Sequence, residues 1–424
     1  MTGFDNSRDC ARALDAADRL SRFRQQFNFP EDRDGRACVY LCGNSLGLQP
    51  KGAVERVQEA LDDWARFAVE GHFKAARPWL SYHREATGGL AELTGAQANE
   101  VVTMNTLTVN LHVMMASFYR PDATRRKIII ESTAFPSDYF AVASQIRLHG
   151  LDPDDCLVEW KPREDELLHT EDLADLLRLH SGEIALLLLP GVQYYSGQVL
   201  DMAKHCEMAR QAGAKIGFDL AHAIGNVPLS LHEWGPDFAA WCTYKYLNSG
   251  PGAVAGAFVH ARHFDDNDTE YLKGWWGHEE STRFRMERQF RPGDGAERWQ
   301  LSNPPVLAIA PILASLDVFG AAGMAALHKK SMQQTEYLEY LLEQQFSGQI
   351  GSITPPDARG CQLSLVVTDK NLNARALFKR LEHMNVIGDW REPNVIRVAP
   401  VPLYNSFEDI YEFTERLITA IDNG

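Results

Sequence analysis

Long apolar runs are missing from this 424-residue chain. The longest, Ile184 to Leu189, is far too short to span a bilayer. Excess basic charge is missing too: 42 lysines and arginines stand against 57 aspartates and glutamates, a net charge of -15. Nucleic acid and anionic membrane surfaces require clustered positive charge, so neither is an expected partner. Residues 1–20 mix acids and bases without an apolar centre and do not read as a signal peptide. Repeats and low-complexity tracts are absent. The seven cysteines (10, 38, 42, 156, 206, 242 and 361) follow neither CxxC spacing nor a disulfide framework, which predicts reduced thiols in a cytoplasmic protein. Among nucleotide and metal signatures, Gly250-Pro251-Gly252 with Gly256 is not GxGxxG and no Walker A occurs. His278-Glu279-Glu280-Ser281-Thr282 lacks the second histidine of a zinc helix, so no metal site is expected.

What is present is an ordinary globular composition, 45% hydrophobic and 23% charged, in a chain long enough for two domains. Apolar strand-like runs at 127–130, 184–189, 216–219, 238–243 and 253–259 alternate with helical patterns at 107–119, 143–148 and 202–213. Continuous apolar strands with helices between them predict an α/β fold whose mostly parallel sheet is covered on both faces. An apolar helix over 306–320 leads into a second alternation: strand 362–367, helix 372–384, strand 395–398 and helix 407–421. Ser406 and Asp409 form a capping-box pattern before the last helix. The expected division is a large domain at roughly 60–305 and a small domain joining 1–59 to 306–424.

The chemistry centres on Lys245. It ends the apolar run from Phe238 and is followed at once by Ala253 to Val259. Such surroundings desolvate an ammonium and lower its pKa, which makes the amine a nucleophile. A lone lysine beside apolar segments more commonly snorkels to the surface. The balance turns on company. Ile216-Gly217-Phe218-Asp219 is a strand ending in a carboxylate. An imine-forming lysine and an aspartate that holds a protonated pyridine nitrogen are the two protein groups that pyridoxal phosphate chemistry requires. Thr106-Leu107-Thr108 opens a helix whose free N–H groups suit a phosphate. Phe135 offers a stacking face and Asp138 an acceptor. His222 and Tyr244 add a ring nitrogen and a phenol. Each has a bland reading: a helix cap, a turn, a structural histidine, a core tyrosine. Their order along the chain favours the site.

Several segments carry a specific resemblance. They are Leu41-Cys42-Gly43-Asn44-Ser45-Leu46-Gly47, Leu107-Thr108-Val109-Asn110, Ala134-Phe135-Pro136-Ser137-Asp138, Phe218-Asp219-Leu220-Ala221-His222, Tyr244-Lys245-Tyr246-Leu247-Asn248, Gly274-Trp275-Trp276-Gly277-His278, Leu301-Ser302-Asn303-Pro304-Pro305 and Arg397-Val398-Ala399-Pro400. Together they resemble the kynureninase family, pyridoxal phosphate enzymes of fold type I, over nearly the whole chain. The resemblance implies a large domain with a seven-stranded, mostly parallel sheet plus a smaller α/β domain, and a homodimer with shared sites. It implies that Lys245 carries the cofactor as a Schiff base, Asp219 pairs with the pyridinium, and Leu107, Thr108, Phe135, Ser137, Asp138, His222 and Tyr244 surround it. Trp275 and Asn303 approach from the neighbouring subunit. Arg397 holds the substrate carboxylate, and Ser45, His72, Asn303 and Trp276 complete the substrate site, with His72 and Asn303 facing the aryl ring. The implied reaction is hydrolysis of L-kynurenine or its 3-hydroxy form to anthranilate or 3-hydroxyanthranilate and L-alanine, with Tyr244 as proton donor. One departure is Pro190, where a serine is expected; proline removes a donor. The alternatives are another fold type I activity (a cysteine desulfurase, for which Cys361 is poorly placed, or an aminotransferase) and a cofactor-binding regulator.

Overall fold

The computed structural model describes residues 3–266 and 268–423. Its centre is a seven-stranded sheet of β1 (Val101–Thr103), β2 (Lys127–Glu131), β3 (Leu157–Trp160), β4 (Ile184–Pro190), β5 (Lys215–Asp219), β6 (Phe238–Trp241) and β7 (Gly256–Val259), in the order β1-β7-β6-β5-β4-β2-β3. Strands β3, β2, β4, β5 and β6 are parallel to one another. Their residues alternate between two buried cores: Ile129, Leu187, Phe218 and Trp241 face one, Ile128, Leu188, Phe238 and Ala240 the other. Burial on both faces explains the unbroken apolar runs.

The sheet is mostly parallel, as expected; strand β7 is its antiparallel member and pairs with both β1 and β6. Between Trp241 and Gly256 the chain forms turns and no helix, so no crossover returns it to the starting edge. That connection carries Lys245.

Several helices differ from the pattern reading, Gly52–Phe67 and Thr170–Leu179 among them, and two are instructive. The helix expected from Ala143 begins at Pro136 and runs to Leu148. Pro136 suggests a turn in sequence but sits in the first helical turn, where its missing N–H costs nothing. Helix Met324–Phe346 was not apparent in the sequence. Its inward stripe interleaves Lys330, Ser331, Gln334 and Thr335 with Leu327, Leu338, Leu341 and Leu342, which hides the apolar period.

A four-stranded antiparallel sheet, β8 (Ile350–Ser352), β9 (Leu363–Val367), β10 (Asp389–Arg391) and β11 (Val395–Val398), has the order β8-β9-β11-β10. Its core also takes in Ala11, Val39 and Leu41 from the N-terminal segment and Phe407, Phe413 and Leu417 from the last helix. Helix Arg8–Ala17 is tied to that last helix by Arg8, which pairs with Glu408 and Glu412, and by Asp15, whose carboxylate accepts the N–H groups of Phe407 and Glu408. Helices Val306–Ala322 and Met324–Phe346 meet at a bend of 80° around Gly323. Among the described residues no single helix is long and apolar enough to cross a membrane.

Candidate active site

The C-terminal ends of β2, β4 and β5 bring Glu131, Pro190 and Asp219 to one edge of the sheet, where open α/β sheets bind ligands. A cavity of about 350 Å³ opens there. It is lined by Ser45, Leu107, Thr108, Phe135, Ser137, Asp138, Asp219, His222, Tyr244 and Lys245, all expected from sequence. Pro190 stands beside Asp219 in the ladder and lines it as well.

Backbone constraints set these positions. Asn105 takes a positive φ of 49° just before helix Leu107–Phe118, whose N-terminus has no side-chain cap. Thr108 Oγ1 and Ser137 Oγ, from the starts of two helices, lie 2.6 Å apart. The loop carrying Ser45 is pinned to the lysine segment: Gly47 N–H donates to the Tyr244 carbonyl at 2.8 Å, and a Cβ at Gly47 would collide with the Lys245 carbonyl. The Ala221 N–H donates to Asp219 Oδ1 at 2.7 Å, fixing that carboxylate.

Burial governs the electrostatics. It pulls the Lys245 amine down, against the opposing pull of Cys242, Asp219 and Asp138. The same burial, with Lys245 and Arg397 nearby, holds His222 well below its ordinary range and therefore neutral. Lys245 Nζ lies 2.8 Å from His222 Nε2. With Nε2 accepting, His222 Nδ1 is left a buried donor without a partner. Burial and the neighbouring Asp219 and Glu131 push Asp138 well above the carboxylate range, and burial with Asp219 pushes Glu131 up to about 8. Burial also raises the Tyr244 phenol, which stays protonated at neutral pH.

Comparison with known proteins identifies the lineage. The chain is 55% identical to a kynureninase of Xanthomonas campestris pv. campestris over 97% of its own length and 98% of the relative. A kynureninase of Stenotrophomonas maltophilia is 54% identical, covering 97% of each. The chain belongs to the kynureninase family. Residues 327–417 match the kynureninase C-terminal domain. Among solved structures, a C-DES variant with glycine covalently linked to its PLP cofactor has a TM-score of 0.76 at 17% identity, covering 93% of this chain and 98% of its own. The Escherichia coli cysteine desulfurase CsdA has a TM-score of 0.75 at 18% identity, covering 95% and 98%. At such identity these likenesses speak for the fold alone, that of the fold type I enzymes.

The cavity of this kynureninase-family chain fits pyridoxal phosphate. The uncapped helix at Leu107 and the orphaned His222 Nδ1 offer donors to a phosphate, Phe135 a face to a ring, and Asp219 an acceptor to a pyridinium. The cysteine that a desulfurase would need is unsuited: Cys361 is fully buried and its thiol is pushed up to about 12 by burial.

Five expected residues lie outside the cavity lining. Arg397 is buried behind it, donating Nη1 to the Tyr194 carbonyl at 2.6 Å and pairing through Nη2 with Asp389. Burial lowers its guanidinium to about 10. Trp276 is buried under the Arg283 guanidinium, 4.5 Å from its ring centroid, and faces no part of the cavity of its own chain. His72, Trp275 and Asn303 lie on the outer surface. His72 Nδ1 contacts the Val69 carbonyl, and Trp275 packs edge-on against Phe284. The lining also includes Asn44, Glu131, Tyr194 and Arg391, which carried no role in the sequence reading. Asn44 lay within a family segment; Arg391 had no such signal, because only its strand pairing brings it to the site.

Proposed function

We propose that the Lys245 cavity performs the kynureninase reaction, hydrolysis of L-kynurenine or 3-hydroxy-L-kynurenine to anthranilate or 3-hydroxyanthranilate and L-alanine. The observation that carries this reading is a buried amine of lowered pKa beside Asp219 and within 2.8 Å of His222, whose Nδ1 has no partner, in a chain 55% identical to a kynureninase. Leu107, Thr108, Ser137 and His222 hold the phosphate of pyridoxal phosphate, Phe135 covers its ring, and Asp138 accepts at its edge. Bound there, the cofactor supplies an electron sink for charge developing at the substrate Cα and Cβ.

Asp219 keeps the pyridine nitrogen protonated. Lys245, with its amine free, would take the Cα proton. Water adds at the γ-ketone; the Cβ–Cγ bond breaks, its electron pair stays with Cβ, and the aryl carboxylate leaves. Tyr244, a protonated phenol at neutral pH, would deliver a proton to Cβ, and Lys245 would return the proton to Cα to complete L-alanine. Arg397 orients the substrate carboxylate, and Ser45 borders the same end of the cavity.

The remaining substrate contacts come from a second copy in a homodimer. His72, Phe73, Phe284 and Trp275 form a chain of ring contacts on one surface, with Phe73 and Phe284 each more than half exposed. Gly274, next to Trp275, packs on Leu301, two residues before Asn303. His72 and Asn303, with Ser302, give a polar pair that favours the 3-hydroxy substrate. Trp276, buried in its own chain, braces Trp275 edge-on and would act on the substrate through that contact. The division into a large domain at about 60–305 and a small domain of 1–59 and 306–424 is supported by the separate core around the second sheet, although helix Val306–Ala322 packs into the core of the large sheet. Seven unpaired cysteines agree with a cytoplasmic location.

The test is release of anthranilate and 3-hydroxyanthranilate by the cofactor-loaded protein. Wild type is expected to prefer 3-hydroxykynurenine in kcat/KM. Lys245→Ala is expected to lose at least about 10³-fold in kcat together with the imine absorbance. Retention of activity by Lys245→Ala would sink the assignment; preference for L-kynurenine would remove only the His72–Asn303 role.

A further inference from the structure

We infer that Asp389 is an internal carboxylate that occupies the Arg397 clamp until the substrate carboxylate replaces it. The inference rests on Arg397 being that clamp.

Asp389 on β10 is the direct cross-strand partner of Arg397 on β11, so both side chains leave the same face of the sheet. Arg397 is completely buried, and Asp389 is the one anion it pairs with among the described residues. Its Nη1 is committed to the Tyr194 carbonyl, its Nη2 to Asp389, and its Nε has no partner. Nε and Nη2 form one side of the guanidinium fork, the side that takes a carboxylate through two parallel bonds. Half of that side is buried without a partner and half is held by Asp389.

Asp389 has a second place to go. Its Oδ2 also accepts from Arg391 Nη2 at 2.9 Å, and Arg391 lines the cavity beside Asn44, Ser45 and Tyr194. An incoming carboxylate would meet the negative Asp389 at a shared donor, where like charges repel. The exchange keeps every charge paired: Asp389 retains Arg391, and the ligand takes Nε and Nη2 of Arg397. Without Asp389 the ligand-free protein would hold a bare buried cation, which is strongly destabilising. Asp389 thus keeps the clamp formed in the empty enzyme and weakens ligand binding in return. A ligand without a carboxylate cannot make the exchange.

The test uses the cofactor-loaded enzyme with L-alanine and L-alaninamide, titrated by cofactor absorbance. Asp389→Asn is expected to tighten L-alanine binding about fivefold or more, ~1 kcal/mol, and to leave L-alaninamide unchanged. Its thermal midpoint without ligand falls, and the rise on adding L-alanine exceeds that of wild type. Arg391→Gln, at a partly exposed site, is expected to weaken L-alanine alone, because Asp389 then has nowhere else to pair. Unchanged or weaker L-alanine binding by Asp389→Asn, or tighter binding by Arg391→Gln, overturns the inference. Arg397→Gln separates the underlying reading: if it still prefers L-alanine over L-alaninamide as wild type does, Arg397 is not the clamp, whatever the Asp389 variant shows.

Discussion

At the scale of single residues, the reactivity of Lys245 comes from the groups that share its enclosure. Three carboxyl groups, Glu131, Asp138 and Asp219, line the same cavity. They cannot all be ionised cheaply at low dielectric, so burial and mutual repulsion push Glu131 up to about 8 and Asp138 in the same direction. The sign for Glu131 follows by linkage. Its carboxyl rises from 4.5 to about 8 on folding. Between those values the folded chain keeps a proton that the unfolded chain has released, so stability falls as pH rises through that window. In the cofactor-free protein, Glu131→Gln is expected to flatten this decline, which for one proton is at most about 1.4 kcal/mol per pH unit. The variant should match wild type in urea midpoint near pH 5 and exceed it above pH 8. Parallel pH profiles for the two proteins would show that Glu131 does not hold the proton.

At the scale of elements, helix ends do much of the positioning. The start of helix Leu107–Phe118 is left without a side-chain cap and faces the cavity, whereas the start of the last helix is fully capped. Ser406 Oγ accepts the Asp409 N–H at 3.0 Å, and the Asp409 carboxylate accepts the Ser406 N–H at 3.1 Å. Asp409 is also held by Arg24 and by Asn405. Ser406→Ala should therefore cost about 1 kcal/mol, the usual worth of a cap, and Asp409→Ala should cost more because it also frees Arg24. Urea unfolding measures both. Equal losses would mean that the Arg24 pair contributes nothing. Strand pairing matters in the same way at the substrate end: β10 has only three residues, yet its register beside β11 delivers both Asp389 and Arg391.

At the scale of the whole molecule, the cavity of one chain gathers Lys245, Asp219, His222 and Tyr244 but not His72, Trp275 or Asn303, which lie outside its lining. If a second copy supplies them, two inactive variants must rescue each other. Lys245→Ala mixed in equal amounts with Trp275→Ala, after subunit exchange, is expected to regain about a quarter of native sites, since half of the dimers are mixed and each mixed dimer has one intact site. Sedimentation of Phe284→Ser should show a weakened dimer. No recovery of activity in mixtures that do exchange would exclude shared sites.

Much of this arrangement was legible in the residues. The apolar runs of β2, β4, β5 and β6 announce a sheet buried on both faces, because burial demands it of every residue in turn. Lys245, Asp219 and His222 were readable because each ends or follows such a strand, and strand ends gather at one edge. Helix Met324–Phe346 was not readable, because its inward stripe includes polar residues satisfied only by distant partners: Lys330 by Asp18 and the Pro402 carbonyl, Gln334 by the Asn405 carbonyl. The antiparallel turn of β7 depended on a connection with no pattern of its own. Arg391 and Asp389 depended on register, which a one-residue slip would reverse. Sequence by itself determined which groups are available for chemistry and the strand ends on which they ride, since periodicity and local propensity act over a few residues. Tertiary structure decided which of them share an enclosure, and so which protons move and which charges pair, because desolvation and ion pairing depend on neighbours hundreds of residues apart.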